Sequence, residues 1–221
     1  MPAYELATEM INNGTIGELE HVSVHHLLSG GRNVKRLMNI NLGGSITLDI
    51  GVYSIHAILT AVNFTNPTEL KVVGKKLTEN SADHTVAGVM SFPGRVTASF
   101  VMTASTSRET NERLSQAVYV GSKGYIRLPY PMNGSDSFEV NGRTIETKIS
   151  DDQAGYIWPT SGGLRYQAEH MRQQIEKGRL TSERMSPELS QQFADLTKEI
   201  YTQLNVTFPT TIANYEFKQI E

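Results

Sequence analysis

The sequence predicts an α+β fold: one large, open, mainly antiparallel β-sheet with helices packed on one face. Between about residue 69 and residue 149 the chain breaks into short β segments separated by Gly, Pro and Asn turns. Stretches with helical spacing flank that region on both sides. No internal repeat, low-complexity tract or linker divides the 221 residues, so residues 1–221 form one domain with a shared core. A chain of this length buries roughly 70% of its unfolded surface and needs no covalent staples.

The elements follow in order. Residues 3–13 place Tyr4, Leu6, Ala7, Met10 and Ile11 at helical spacing, and Asn12-Asn13-Gly14 ends the run. Glu18 to Leu28 alternates, with Val22 and Val24 on one face, as a strand does. Gly30-Gly31-Arg32-Asn33 is a loop, and Gly43-Gly44-Ser45 caps a helix from Ile46 to Val62 that is apolar on most of its surface. Strands are expected at Leu70–Val73, Thr85–Phe92, Val96–Ala104, Gln116–Val120, Tyr125–Leu128, Phe138–Val140 and Thr144–Ile149. Pro93-Gly94, Asn133-Gly134 and Asn141-Gly142 are the hairpin turns among them. After a loop at 151–163, a helix from Leu164 to Lys177 stops at Gly178. A last helix, Pro187 to Leu204, follows a Ser186 cap with Pro at its first position.

Composition excludes several classes. The net charge of −3 and pI near 6.1 give no electrostatic attraction to nucleic acid or anionic membranes. No apolar run approaches the ~18 residues of a membrane span, since Ile46–Val62 is interrupted by Asp49, Tyr53 and His56. Cysteine is absent, which removes disulfides, thiolate metal sites and Cys nucleophiles. With no signal peptide at the N-terminus, the expected compartment is the cytoplasm, and the four Asn-x-Ser/Thr sequons read as chance. His21 and His25 share a strand face but stand about 13 Å apart along it, too far to ligate one zinc, so no metal is expected.

The nucleotide motifs are missing. No two of the 18 glycines stand two residues apart, so there is no Gly-x-Gly turn for a pyrophosphate, and there is no phosphate loop or nucleophile elbow. The informative segment runs from Gly43 to Tyr53. In a helix Asp49 and Tyr53 lie at i and i+4 on one face. An ionisable Asp in an otherwise apolar helix is costly unless it is paired or faces a cavity. Gly51 between them costs about 1 kcal/mol of helix propensity, a sign that something approaches the backbone there. The residues alone leave two readings open: a substrate site, or an Asp–Tyr hydrogen bond that only holds the fold.

The ordered set Asn13-Gly14-Thr15-Ile16-Gly17-Glu18-Leu19, Gly43 to Tyr53, Phe92-Pro93-Gly94, Val120-Gly121-Ser122-Lys123-Gly124, Tyr166-Gln167-Ala168-Glu169-His170 and Val206-Thr207-Phe208-Pro209 resembles the C-terminal domain of the glucose-fructose oxidoreductase / inositol dehydrogenase family, nearly end to end. Within it, the dihydrodiol dehydrogenase branch, which also acts on D-xylose, is the most similar. The resemblance implies an NADP-dependent oxidoreductase acting on a sugar or trans-dihydrodiol. Tyr53 would be the acid/base and Asp49 would orient substrate or tyrosine. Trp158 and Arg36 would line the substrate cleft, Gly44 would lie near the nicotinamide, and His170 would pack its helix.

A tyrosine of ordinary pKa, about 10, is a poor base at neutral pH without a cation beside it. The family supplies a lysine in a Glu-Lys-Pro motif at the end of its dinucleotide-binding domain, and this chain contains no such motif. The resemblance therefore also implies that the N-terminal dinucleotide-binding domain is missing, and that the free sheet face forms a homodimer. Two functional alternatives follow. One is the substrate-side domain of a truncated dehydrogenase, inactive alone; the other is a non-catalytic dimeric binding or scaffold protein descended from one.

Overall fold

The computed structural model describes residues 1–76, 82–132, 134–147 and 163–209. Helix α1 (Pro2–Asn12) opens with proline, whose missing N–H costs nothing in a first turn, and buries Ala3, Ala7 and Ile11 on one stripe. Strand β1 (Leu19–Ser29) follows. A π-helical turn at Thr47–Gly51 then leads into α2 (Val52–Ala61). Strands β2 (Glu69–Lys75), β3 (Thr85–Ser91) and β4 (Thr97–Thr106) precede the short α3 (Arg108–Leu114). Strands β5 (Gln116–Gly121), β6 (Gly124–Leu128), β7 (Ser137–Val140) and β8 (Arg143–Glu146) complete the sheet. Helices α4 (Leu164–Glu176) and α5 (Pro187–Leu204) follow it.

The strands form one open sheet in the order β2-β3-β4-β1-β5-β6-β7-β8. Every neighbouring pair is antiparallel except β1 and β4, which run parallel, so the sheet is mixed and mainly antiparallel as expected. A parallel pair needs a crossover, and α2 with the β2–β3 hairpin supplies it. Alternation sends Val22 and Val24 of β1, Phe100 and Met102 of β4 and Ile126 of β6 into the core, where Ile55, Ile58 and Leu59 of α2 and Ile200 of α5 join them. Gly88 makes room for this layer, because a Cβ there would lie 2.4 Å from Cζ of Phe100.

The structure departs from the sequence expectations in three elements. The helix expected from Ile46 to Val62 is continuous to Ala61, but its first part, Thr47–Gly51, is wound as a π-helix before α2, and Leu48 and Val52 are exposed on it. The buried Asp83 carboxylate explains the start, accepting from the Thr47 N–H at 2.8 Å and the Thr47 hydroxyl at 2.5 Å. Helix α3 was not foreseen. It has no apolar periodicity and rests on its Ser107 cap and on Arg108–Glu112 and Arg113–Glu109 ion pairs at i, i+4. The last strand begins at Arg143 and ends at Glu146, whereas the expected range is Thr144–Ile149, and residues 148 and 149 of that range lie outside the described residues.

Candidate functional site

The π-helical turn lies over the seam between β1 and β4, and Gly51 is what lets it come so close. A Cβ there would sit 3.2 Å from the sulfur of Met102 and 3.2 Å from Cγ2 of Thr47, which identifies the close approach anticipated at this glycine. π-Turns inside helices recur at functional sites because they re-aim the side chains around them. Here the turn carries Asp49 and hands over to Tyr53 in the first turn of α2.

Asp49 and Tyr53 are not bonded to each other among the described residues. Asp49 Oδ1 instead meets Arg36 Nη2 at 2.6 Å, with the carboxylate mostly buried and the guanidinium largely exposed. Such a half-exposed pair contributes about 1 kcal/mol or less to stability, so its value lies in fixing where the carboxylate stands. Arg36 is delivered by a loop that the glycine pair shapes. Gly43 has the left-handed φ of 72°, and a Cβ on Gly44 would lie 2.2 Å from the Arg36 carbonyl oxygen and 2.7 Å from that of Asn39.

Tyr53 is 44% exposed and forms one wall of a cavity of about 230 Å³ lined also by Met1, Tyr4, His56, Ala57, Ala117 and Met132. Behind that wall the Tyr4 hydroxyl stands 3.2 Å from Nδ1 of His56, whose ring stacks on Phe193 with centroids 6.0 Å apart. Burial pushes the Tyr4 phenol up to about 12 and lowers the His56 imidazole below its usual range. Both groups are therefore neutral at pH 7, and the cavity offers an apolar wall with hydroxyl and imidazole edges. On its other side the Tyr53 ring meets His26 edge-on, with centroids 5.6 Å apart and planes at 60°.

Of the residues expected in the site, the structure pairs Asp49 with Arg36, whose loop packs against Gly44, while Tyr53, one helical turn on, lines the cavity without either of them. Trp158 lies outside the described residues. His170 sets Nε2 2.9 Å from the Ser182 hydroxyl, in the segment after α4. Sequence reasoning missed His26 and Asp83. The strand alternation that places Val22 and Val24 inward also turns His26 toward α2, a signal the sequence does carry. Asp83 carried no signal, because its partner Thr47 is distant in sequence. No group of three or more potential metal ligands occurs among the described residues.

Solved structures share the open mixed sheet and its helices. Levoglucosan dehydrogenase, solved with NADH and levoglucosan, superposes with a TM-score of 0.74 at 17% identity, covering 94% of this chain and 63% of that one. The aldose-aldose oxidoreductase of Caulobacter crescentus, solved with glycerol, gives 0.70 at 18% identity, covering 91% of this chain and 58% of that one. Residues 4–127, more than half of the chain, match the GFO/IDH/MocA C-terminal domain, and the chain belongs to that family.

Curated relatives are the trans-1,2-dihydrobenzene-1,2-diol dehydrogenases. That of Xenopus tropicalis is 28% identical over 208 residues, 94% of this chain and 61% of the relative. That of Danio rerio is 30% identical over 175 residues, 79% of this chain and 51% of the relative. The chain thus spans less than two thirds of the length of these relatives. No helix among the described residues is long and apolar enough to cross a membrane.

Proposed function

We propose that this chain is the substrate side of an NADP-dependent oxidoreductase acting on a cyclic sugar or a trans-dihydrodiol. The observation that carries this reading is the Asp49–Tyr53 pair, with Arg36 gripping the carboxylate and the half-exposed tyrosine walling a cavity of about 230 Å³. An engineered apolar cavity of about 150 Å³ holds benzene, so a six-membered ring fits this one. An ionised carboxylate only accepts hydrogen bonds, so Asp49 orients a substrate hydroxyl by taking its hydrogen. The Tyr53 hydroxyl takes or returns the proton of the reacting hydroxyl.

The residues present do not themselves fit the dinucleotide. The sequence holds no Gly-x-Gly turn, and the open side of Gly44 is filled by the chain's own carbonyl groups rather than by space for a nicotinamide. NADP is then held by residues outside this chain, which also provide the cation that a tyrosine base requires. This reading makes the chain the C-terminal part of a longer cytoplasmic enzyme, dimeric through the free face of its sheet. Val73, Val89 and Val120 are exposed hydrophobic residues on that face, beside His21, Ser23 and Ser99. The missing phosphate-binding glycines favour a second reading, a dimeric binding or scaffold protein without redox activity.

Calorimetry with NADPH, followed by an absorbance assay of NADP reduction with D-xylose and with a trans-dihydrodiol, tests the two readings. The 221-residue chain alone is expected to bind no cofactor and turn nothing over. The same chain joined to a dinucleotide-binding domain of a relative is expected to reduce NADP, and Tyr53→Phe to abolish that activity. A folded fusion that binds NADP but oxidises neither substrate would favour the scaffold reading.

A further inference from the structure

We propose that the crevice between the ends of β1 and β4 is a binding site for a phosphate group, with Arg32 as its anchor. The crevice shares no lining residue with the Tyr53 cavity, and the inference stands independently of the substrate reading.

Strands β1 and β4 run parallel and end side by side, with Ser29 opposite Thr106. Gly30, Arg32 and Asn33 line one side of the crevice, and the end of β4 from Ala104 to Ser107 lines the other. The space between them is about 360 Å³, within the range of small-molecule sites, so it has room for the body of a phosphate ester as well as for the phosphate. From Leu27 to Ser29 β1 advances two residues while β4 advances three, from Thr103 to Thr106. Such a bulge re-aims the side chains of the strand that carries it, here at the wall of the crevice.

Arg32 is fixed from behind. Its Nε donates to the Ser105 hydroxyl oxygen at 2.7 Å, and the same oxygen lies 2.8 Å from Nε2 of His84, a residue only 4% exposed. An exposed guanidinium is thus tied through one serine to a buried imidazole. With Nε committed, the edge formed by the two Nη groups remains, and no carboxylate among the described residues pairs with Arg32. That edge holds an oxyanion through two parallel N–H···O bonds. Asp83, next to His84, is buried against Thr47 and does not line the crevice, and no other acidic residue lines it.

Thr106 gives a second, separate sign. Its hydroxyl is buried and has no hydrogen-bond partner among the described residues. A donor in that state costs stability unless an acceptor reaches it, and rotation about χ1 turns it to an oxygen held by Arg32. Asn33 adds an amide donor on the opposite wall. Arginine edge, hydroxyl and amide together suit the three oxygens of a phosphate better than the two of a carboxylate.

The test follows the Arg32 side-chain Nε–H and the Thr106 amide of the ¹⁵N-labelled 221-residue chain by NMR. Glycerol 3-phosphate, inorganic phosphate and glycerate are titrated at constant ionic strength into wild type, Arg32→Gln and Thr106→Val, with Tm measured alongside. Glycerol 3-phosphate is expected to shift both resonances saturably, and glycerate to bind at least about tenfold more weakly. Arg32→Gln should weaken the phosphate ester about tenfold, the loss that a charge-assisted hydrogen bond represents. Because that variant also loosens the loop from Ser105, Thr106→Val is the cleaner probe: it keeps the shape, should keep or raise Tm, and should still bind several-fold more weakly. An ester that binds more tightly than inorganic phosphate identifies a phosphorylated small molecule as the source, and equal affinities identify the free anion; both support the site. No saturable shift with either phosphate, glycerate binding as tightly as the ester, or wild-type affinity in folded Arg32→Gln and Thr106→Val would overturn it.

Discussion

Replacing His26 with Phe changes how stability depends on pH, and the size of the change follows from burial. In the unfolded chain this imidazole titrates near its ordinary 6.5; in the folded protein desolvation holds it at about 4, against the smaller opposing effects of the Ile50 backbone and Asp49. Between those values the unfolded state binds a proton that the folded state does not, so stability falls as pH drops through that window. One proton is worth about 1.4 kcal/mol per pH unit, so the wild type loses about 1 kcal/mol by pH 5.5 and about 2 kcal/mol by pH 4.5 through this group.

The loss levels off below pH 4, where the folded protein is protonated too. His56 is also lowered by burial but is common to both proteins, so it cancels in their difference. Urea unfolding of both proteins at neutral pH, 5.5 and 4.5 measures that difference directly. Parallel pH profiles for wild type and His26→Phe would refute the reasoning, since they would mean that the imidazole is solvated or already charged in the folded state.

Three further outcomes are expected. Gly44→Ala drives a methyl group into the Arg36, Leu37 and Asn39 carbonyls, should cost about 2–4 kcal/mol in thermal unfolding, and should weaken ligand binding by displacing Arg36 from Asp49. Asp83→Ala strands the buried Thr47 N–H and hydroxyl and should cost about 2–4 kcal/mol in urea unfolding, whereas Asp83→Asn, which keeps an acceptor oxygen, should cost less. Val89→Lys puts a charge on the free sheet face, on the strand beside the β2 edge, and should convert a dimer to monomer in analytical ultracentrifugation without lowering Tm, and an unchanged dimer would place the interface elsewhere.

The layout of the molecule was legible because its signals are local. Gly and Pro turns separate the strands, and the helical spacing of Tyr4, Leu6, Ala7, Met10 and Ile11 and the Ser186 cap mark α1 and α5 within a residue or so. Asp49 and Tyr53 stand out in the sequence for the same reason, as two polar residues one helical turn apart in an apolar helix. What escaped depends on partners distant along the chain. The π-helical start of the Ile46–Val62 helix meets Asp83 at Thr47 and Met102 at Gly51, and neither contact leaves a trace in the helix's own periodicity. Asp49 pairs with Arg36 rather than Tyr53 because the loop shaped by Gly43 and Gly44 folds back, a geometry that spacing does not encode. Helix α3 escaped because a seven-residue polar helix has caps and charges but no apolar face.

The position of β1 has a consequence for how the chain reaches this structure. It is made early, yet it lies in the middle of the sheet, and its partners β4 and β5 emerge many residues later, as in the pairing of Val22 with Ala98 and Tyr119. The hairpins β3–β4 and β5–β6 close over short loops, whereas β1 closes over long ones, so its insertion is the slow event in folding. Until then two half-sheets each expose an unpaired inner edge, which makes the nascent chain prone to pair with another copy before it pairs with itself. Folding yield should therefore fall steeply with protein concentration, and a synthetic β1 peptide added in trans should rescue a chain that lacks it.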